Sequence, residues 1–253
     1  MARLVLVHGA FCGAWVWDQL SERLKRMGHS VETFDLPGLG EDCTPVKEVN
    51  LEACAARLCE VLASGSEPAI VIGHSMGGIV VTQGAARRPE KVAALVYVAA
   101  FLPKNGQSLL DLTKLPEGAD DQVQANVVIE GDPPVAIMPV SASRQALYEC
   151  CREDVALRAT QKHRAQPVAP FAAPVSIPVG ALDGIDRYYV MCTRDRAVPP
   201  ALQRRMIAEN PCVEVAELAT DHTPQLSKPE ELANVLDRFA AHASARTTQR
   251  AKS

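Results

Sequence analysis

Along the first hundred residues, uninterrupted apolar runs alternate with segments whose apolar positions recur every three or four residues. Residues 4–7, Leu-Val-Leu-Val, form the first run; a strand with no polar face suits a parallel sheet covered on both sides. Trp17, Leu20, Leu24 and Met27 then fall at helical spacing, and Gly28 supplies a stop. Residues 31–34 read as a second strand and 36–40, Leu-Pro-Gly-Leu-Gly, as the turn after it. Asn50 is placed to cap a helix over 51–62, with Leu51, Cys54, Ala55, Leu58 and Leu62 on one face. Apolar strands over 69–72 and 92–98 flank a further helix that ends before Pro89. This alternation predicts an α/β fold, with a mainly parallel sheet of about six strands flanked by helices.

From 103 to 178 the alternation fails. Half of the eighteen prolines lie there, and only one helical segment stands out, about 143–163, carrying Leu147, Cys150, Cys151, Val155 and Leu157. A structureless loop of that length is uncommon inside a compact domain, so the interval reads as a cap inserted over the C-terminal edge of the sheet. Such a cap shapes a substrate pocket, and the apolar piece 133–139 offers Ile137 and Met138 as lining. The sheet resumes at 187–192, a helix starts at Pro199-Pro200, and the last strand covers 213–218. A final helix is expected from Ser227, where Ser-Lys-Pro-Glu matches a capping box closed by Glu230. The expected organisation is a core of 1–102 and 179–245, the cap of 103–178, and a flexible basic tail of 246–253 holding Arg246, Arg250 and Lys252.

The chemistry concentrates at Gly73-His74-Ser75-Met76-Gly77-Gly78, where a buried strand runs through Gly-x-Ser-x-Gly into a helix. That context makes a nucleophile elbow: the serine sits in a tight, strained turn that exposes its hydroxyl, and the glycines let strand and helix come close. The helix N-terminus beside it favours developing negative charge. A serine hydroxyl needs a base, and the base an orienting acid, both in loops after later strands. His222, in Thr220-Asp221-His222-Thr223, and Asp195, in Thr193-Arg194-Asp195-Arg196, fit those positions. The oxyanion hole should pair the backbone N–H of Met76 with that of Ala10 in the loop after the first strand.

Other titratable residues fit less well. His74 is too close in sequence to swing back onto Ser75, and His8 reads as a hydrogen-bonding loop residue. Asp221 neighbours His222 and would point elsewhere, while Asp183 and Asp186 precede their strand. His29, His163 and His242 receive no role. Trp15 and Trp17 read as packing residues.

Composition removes several alternatives. A net charge of −4, from 26 basic and 30 acidic residues, leaves no basic surplus for nucleic acid. No apolar run approaches the ~20 residues that cross a bilayer, and the Leu4–Val7 run is broken by His8-Gly9 before it could serve as a signal segment. The eight cysteines form neither a Cys-x-x-Cys pair nor a zinc-spaced cluster, so reduced thiols in a cytoplasmic protein are expected. Neither a metal nor a cofactor site is called for.

The chain resembles the α/β-hydrolase superfamily, and within it the group of plant methylesterases, plant hydroxynitrile lyases and bacterial esterase relatives. The resemblance rests on His8-Gly9-Ala10 with Gly13-Ala14-Trp15, Gly73-His74-Ser75-Met76-Gly77-Gly78, Cys192-Thr193-Arg194-Asp195, and Asp221-His222 leading to Leu226-Ser227-Lys228-Pro229. It extends over about 3–243. It implies an α/β-hydrolase fold and cofactor-free hydrolysis of a small-molecule carboxylic ester, with Ser75, Asp195, His222, Ala10 and Met76 in the roles above. The lyases of the group place a threonine where this chain has Gly9 and a lysine where it has Thr223, so the chain follows the esterase pattern. A lyase and a low-turnover small-ligand receptor on the same scaffold remain the alternatives, and homodimerisation is left open.

Overall fold

The first four strands carry the alternation expected from the sequence. In the computed structural model, which describes residues 1–250 without the side chains of 248 and 250, they are β1 (Arg3–Val7), β2 (Ser30–Thr33), β3 (Ala69–His74) and β4 (Val92–Val98). Between them run α1 (Asp18–Arg26), α2 (Leu51–Ser64) and α3 (Gly77–Arg87). Asn50 caps α2 as its position suggests, its side chain accepting the Ala53 N–H at 2.8 Å.

Beyond β4 come α4 (Leu109–Thr113), α5 (Gln122–Asn126), β5 (Val128–Glu130), β6 (Val135–Ile137), α6 (Val140–Leu147), α7 (Glu153–Gln161), β7 (Gln166–Pro167) and α8 (Ala169–Ala172). The main sheet then resumes with β8 (Asp186–Cys192), α9 (Pro200–Glu209), β9 (Glu214–Leu218), α10 (Pro224–Ser227) and α11 (Pro229–Arg250).

The main sheet has six parallel strands in the order β2-β1-β3-β4-β8-β9. Its inner strands are apolar throughout because both faces are covered. Val5, Val7, Val71, Leu95 and Tyr189 point to one face, against α2 and α3 residues such as Leu58 and Val80. Leu4, Leu6, Ile72, Val96 and Tyr188 point to the other, against Leu20 and Leu24 of α1 and Leu236 and Phe239 of α11. The edge strand β9 is covered on one face only, exposing Val215 and Glu217 while burying Ala216 and Leu218.

Three expectations are corrected. The helix anticipated over 143–163 is two helices, α6 and α7, separated at Tyr148–Arg152 because Tyr148 is buried and the Cys150 N–H is drawn onto Asp221 Oδ2 at 2.7 Å. The apolar piece before it is β6, the middle strand of a three-stranded antiparallel sheet, β5-β6-β7. No capping box starts the final helix: the Ser227 hydroxyl bonds Asp221 Oδ1 at 2.8 Å instead, and α11 begins at Pro229.

Residues 246–250 continue α11, and the Arg246 guanidinium pairs with Asp186 Oδ2 at 2.7 Å, so this part of the expected tail is helical; 251–253 lie outside the described residues. All eight cysteines are free thiols. No helix among the described residues is long and apolar enough to cross a membrane.

Candidate active site

Ser75 stands between β3 and α3 with φ of 54°, in the left-handed region that a residue with a Cβ seldom occupies. Its backbone is held there by three bonds: Ser75 N–H to Val98 O (3.3 Å), and the N–H groups of Gly78 (3.0 Å) and Phe101 (3.1 Å) to Ser75 O. Two glycines make the turn sterically feasible. A Cβ on Gly73 would lie 2.7 Å from Gly77 O, and one on Gly78 would lie 2.0 Å from Phe101 O.

His222 lies in the loop after β9 and is 3% exposed. Its Nδ1–H donates to Asp195 Oδ2 at 2.8 Å, which leaves Nε2 as the unprotonated nitrogen when the ring is neutral. Burial by itself would lower the imidazole pKa, but the Asp195 charge and hydrogen bond, with Asp221 and Asp121 farther away, outweigh it and raise the pKa above the ordinary histidine value. His74 supports the same loop by donating Nε2–H to His222 O at 2.8 Å; burial drives its own pKa well down, so it is a neutral prop. His8 is likewise neutral and committed to structure, donating Nδ1–H to Gly9 O and accepting the Leu36 N–H at Nε2.

Asp195, in the loop after β8, is fully engaged. Oδ1 accepts the N–H groups of Ala197 (2.8 Å) and Val198 (2.9 Å), and Oδ2 accepts Gln203 Nε2 (3.2 Å) besides His222. Asp221, the other acid in reach of the loop, has both oxygens occupied by Cys150 N, Ser227 Oγ and Thr223 N, which ties the loop down rather than orienting the imidazole. Asp186 sits at the far end of β8 on Arg246.

Ser75 and His222 line one cavity of about 230 Å³, together with Ala10 and Met76. Neither the Ala10 nor the Met76 backbone N–H has an acceptor among the described residues. The loop carrying Ala10 is turned by Phe11 at φ 65°, whose N–H reaches Gln166 Oε1 at 3.3 Å. It passes so near the serine that a Cβ on Gly9 would lie 2.8 Å from Ser75 Cβ. Two free amide donors beside a serine, with a carboxylate-backed histidine lining the same cavity, form an arrangement able to deprotonate the serine and stabilise an oxyanion.

A family model described as "Alpha/beta hydrolase family" matches residues 4–235. The chain belongs to that family. This α/β-hydrolase is 34% identical over 245 residues to methylesterase 7 of Arabidopsis thaliana, covering 92% of this chain and 94% of the relative. It is 32% identical to the putative chloroplastic methylesterase 11 of the same plant over 249 residues and 92% of its own length, but spans 62% of that longer protein. Among solved structures, a pyrethroid hydrolase from Sphingobium faniae JZ-2 superposes with a TM-score of 0.86 at 26% identity, covering 95% of this chain and 97% of that one.

The rest of the hydrolase's cavity comes from the elements between β4 and β8: Leu109 and Leu110 of α4, Val123 of α5, Ala136 of β6, Leu147 of α6 and Phe171 of α8. Ile137 and Met138, expected to line it, do not. Strand alternation turns Ala136 inward and Ile137 away, and Met138 packs with the lining residues Leu147 and Tyr148 without itself reaching the cavity. Sequence reasoning also missed two polar residues. Gln203 of α9, fully buried, donates Nε2–H to Val198 O (2.7 Å) and Asp195 Oδ2 and accepts the Cys192 N–H (3.1 Å), holding the acid loop. Asp121 caps α5 and lines the cavity. A glutamine on the inward face of an otherwise apolar helical stripe was the available signal for the first; a lone acid in a Pro-rich interval gave none for the second. No His/Cys/Asp/Glu cluster among the described residues could hold a metal ion.

Proposed function

We propose that the chain is a serine carboxylesterase acting on small or aryl carboxylic esters without a cofactor. The observation that carries this reading is the 2.8 Å bond from His222 Nδ1–H to Asp195 Oδ2, which orients an imidazole lining the same cavity as the strained Ser75. Asp195 fixes the tautomer, so Nε2 takes the Ser75 proton as Oγ attacks the ester carbonyl. The tetrahedral oxyanion is met by the Ala10 and Met76 N–H groups, which need no reorganisation because nothing else claims them. The protonated His222 then gives its proton to the departing alkoxide, leaving an acyl-serine. Water deprotonated by the same nitrogen attacks that ester and frees the acid and Ser75. The methylesterase and pyrethroid hydrolase relatives agree with ester hydrolysis on this frame.

The lack of a cation in the cavity wall argues against cyanohydrin cleavage. Among its described lining residues there is neither lysine nor arginine, and the Thr223 hydroxyl is committed to Leu147 O. Departing cyanide would have no cation to meet. The expected result from one enzyme preparation is Ser75-dependent hydrolysis of short or aryl p-nitrophenyl esters, with mandelonitrile releasing aldehyde at the spontaneous rate. A serine-dependent mandelonitrile rate equal to the ester rate would make the chain a lyase.

The elements between β4 and β8 act, in this reading, as the cap that sets specificity. Phe171→Ala enlarges the cavity beside the reacting groups, so preference across a graded ester panel should move toward bulkier substrates by about ten- to a hundredfold. Unchanged relative rates would put the specificity pocket elsewhere.

A further inference from the structure

One carboxylate interrupts the apolar wall. Asp121 is 4% exposed, lines the cavity, and uses a single oxygen: Oδ1 accepts the N–H groups of Val123 (2.8 Å) and Gln124 (2.9 Å). Its Oδ2 accepts no hydrogen bond from any described residue. The carboxylate is also held in place. The Asp121 N–H bonds Gly118 O at 3.1 Å, and the next residue, Gln122, donates its N–H to Arg196 O at 2.7 Å, in the loop that carries Asp195. Leu109, Leu110, Val127, Val168 and Phe171 make the surrounding wall, and no described lysine or arginine reaches in to neutralise the charge.

The fold does not require a carboxylate there. Capping a helix takes one oxygen, and serine or asparagine supplies it without burying a negative charge. Burial pushes the Asp121 carboxyl up to about 6, while the Gln124 and Val123 amides and His222 keep it from rising further. Above neutral pH the group is therefore mostly an anion with one unsatisfied oxygen in an apolar chamber. A ligand that brings a donor to that oxygen satisfies it; one that fills the cavity without a donor shuts it from water unpaired.

We propose that Asp121 is a specificity-determining residue whose free Oδ2 accepts a hydrogen bond from an O–H or N–H group of the substrate. The preferred esters then have an apolar body and one such donor: a hydroxyl, a phenol or an ammonium. The proposal rests on the esterase reading of the same site and names the substrate class within it. Sites built to bond a donor reject the analogue lacking it far more strongly than apolar pockets reject a missing methylene.

The test uses matched ester pairs that differ only in the donor, placed on the acyl or the alcohol part, with hydroxyl and amino arms kept separate. For the parent enzyme, at least one donor-bearing series should exceed its plain twin in kcat/KM by about tenfold or more, chiefly through KM, as expected for a hydrogen bond to a charged group. In Asp121→Asn and Asp121→Ser, both able to keep the α5 cap, that ratio should fall by about tenfold. Thermal unfolding of both variants checks the fold. Calorimetric binding of ketone analogues of the same pairs to Ser75→Ala protein reads the preference without turnover. A chain that hydrolysed no ester would sink the esterase reading while this binding ratio still judged Asp121. Equal affinities within every pair, an unchanged ratio in Asp121→Asn, or an equal kcat loss for both members of a pair would each overturn the proposal.

Discussion

Ser75→Ala is expected to lower kcat for ester hydrolysis by about 10⁴-fold or more and to abolish labelling by a fluorophosphonate probe. Only the nucleophile is removed. The φ of 54° is held by the bonds from Gly78, Phe101 and to Val98, none of which uses the side chain, and alanine tolerates that backbone no worse than serine. Thermal unfolding should therefore shift by no more than about 3 °C, on the scale of a change within ~0.5 kcal/mol. Cys12, the thiol lining the same cavity, offers no substitute, since burial pushes it up to about 12 and it stays protonated. Retained hydrolysis, or a labelled site elsewhere on the chain, would remove Ser75 from its role.

Asp195→Asn should be nearly as damaging, with kcat falling by about 10³- to 10⁴-fold at neutral pH while substrate binding persists. Oδ2 now accepts His222 Nδ1–H; an amide placed there can present N–H instead and favour the tautomer with the proton on Nε2, which cannot act as base. The pH profile supplies a second readout. The base works unprotonated, and because the Asp195 charge holds the His222 pKa above its ordinary value despite burial, the acid limb of the parent's kcat/KM should lie above about 6.5. Without that charge burial prevails, and the limb should move to lower pH even as the plateau collapses. A variant with an unshifted limb would mean that another group titrates there.

The residues proposed to react could be singled out in the sequence because each sits beside an element that can be recognised there. The strands before Ser75 and Asp195 are largely apolar runs and the one before His222 alternates, so each can be read alone, and the glycines around Ser75 mark where backbones meet. The stretch between β4 and β8 was not legible. Its helices run from four to nine residues and its strands two or three, too short for a period to emerge. Long-range contacts decide its shape, as where the Cys150 N–H is drawn onto Asp221 and divides α6 from α7. The same competition took Ser227 from its helix: its hydroxyl is spent on the Asp221 carboxylate and does not cap α11. Gln203 and Asp121 act through hydrogen bonds to nearby loops and a helix end, and a solitary polar residue has no period of its own to mark it.

The crowding around the elbow divides the chain into parts that can and cannot drift. At Gly73 and Gly78 an added methyl group would meet a backbone oxygen at 2.7 and 2.0 Å, so neither position takes a larger residue unless the backbone moves. Much of the chamber wall, by contrast, is apolar side chains such as Leu109, Leu110, Val123, Leu147 and Phe171, borne on short helices with no part in the main sheet. Apolar exchanges there change a volume rather than a reaction. Under the proposed function, inheritance can therefore rework what the protein accepts while leaving the elbow untouched, which makes the scaffold readily evolvable toward new esters.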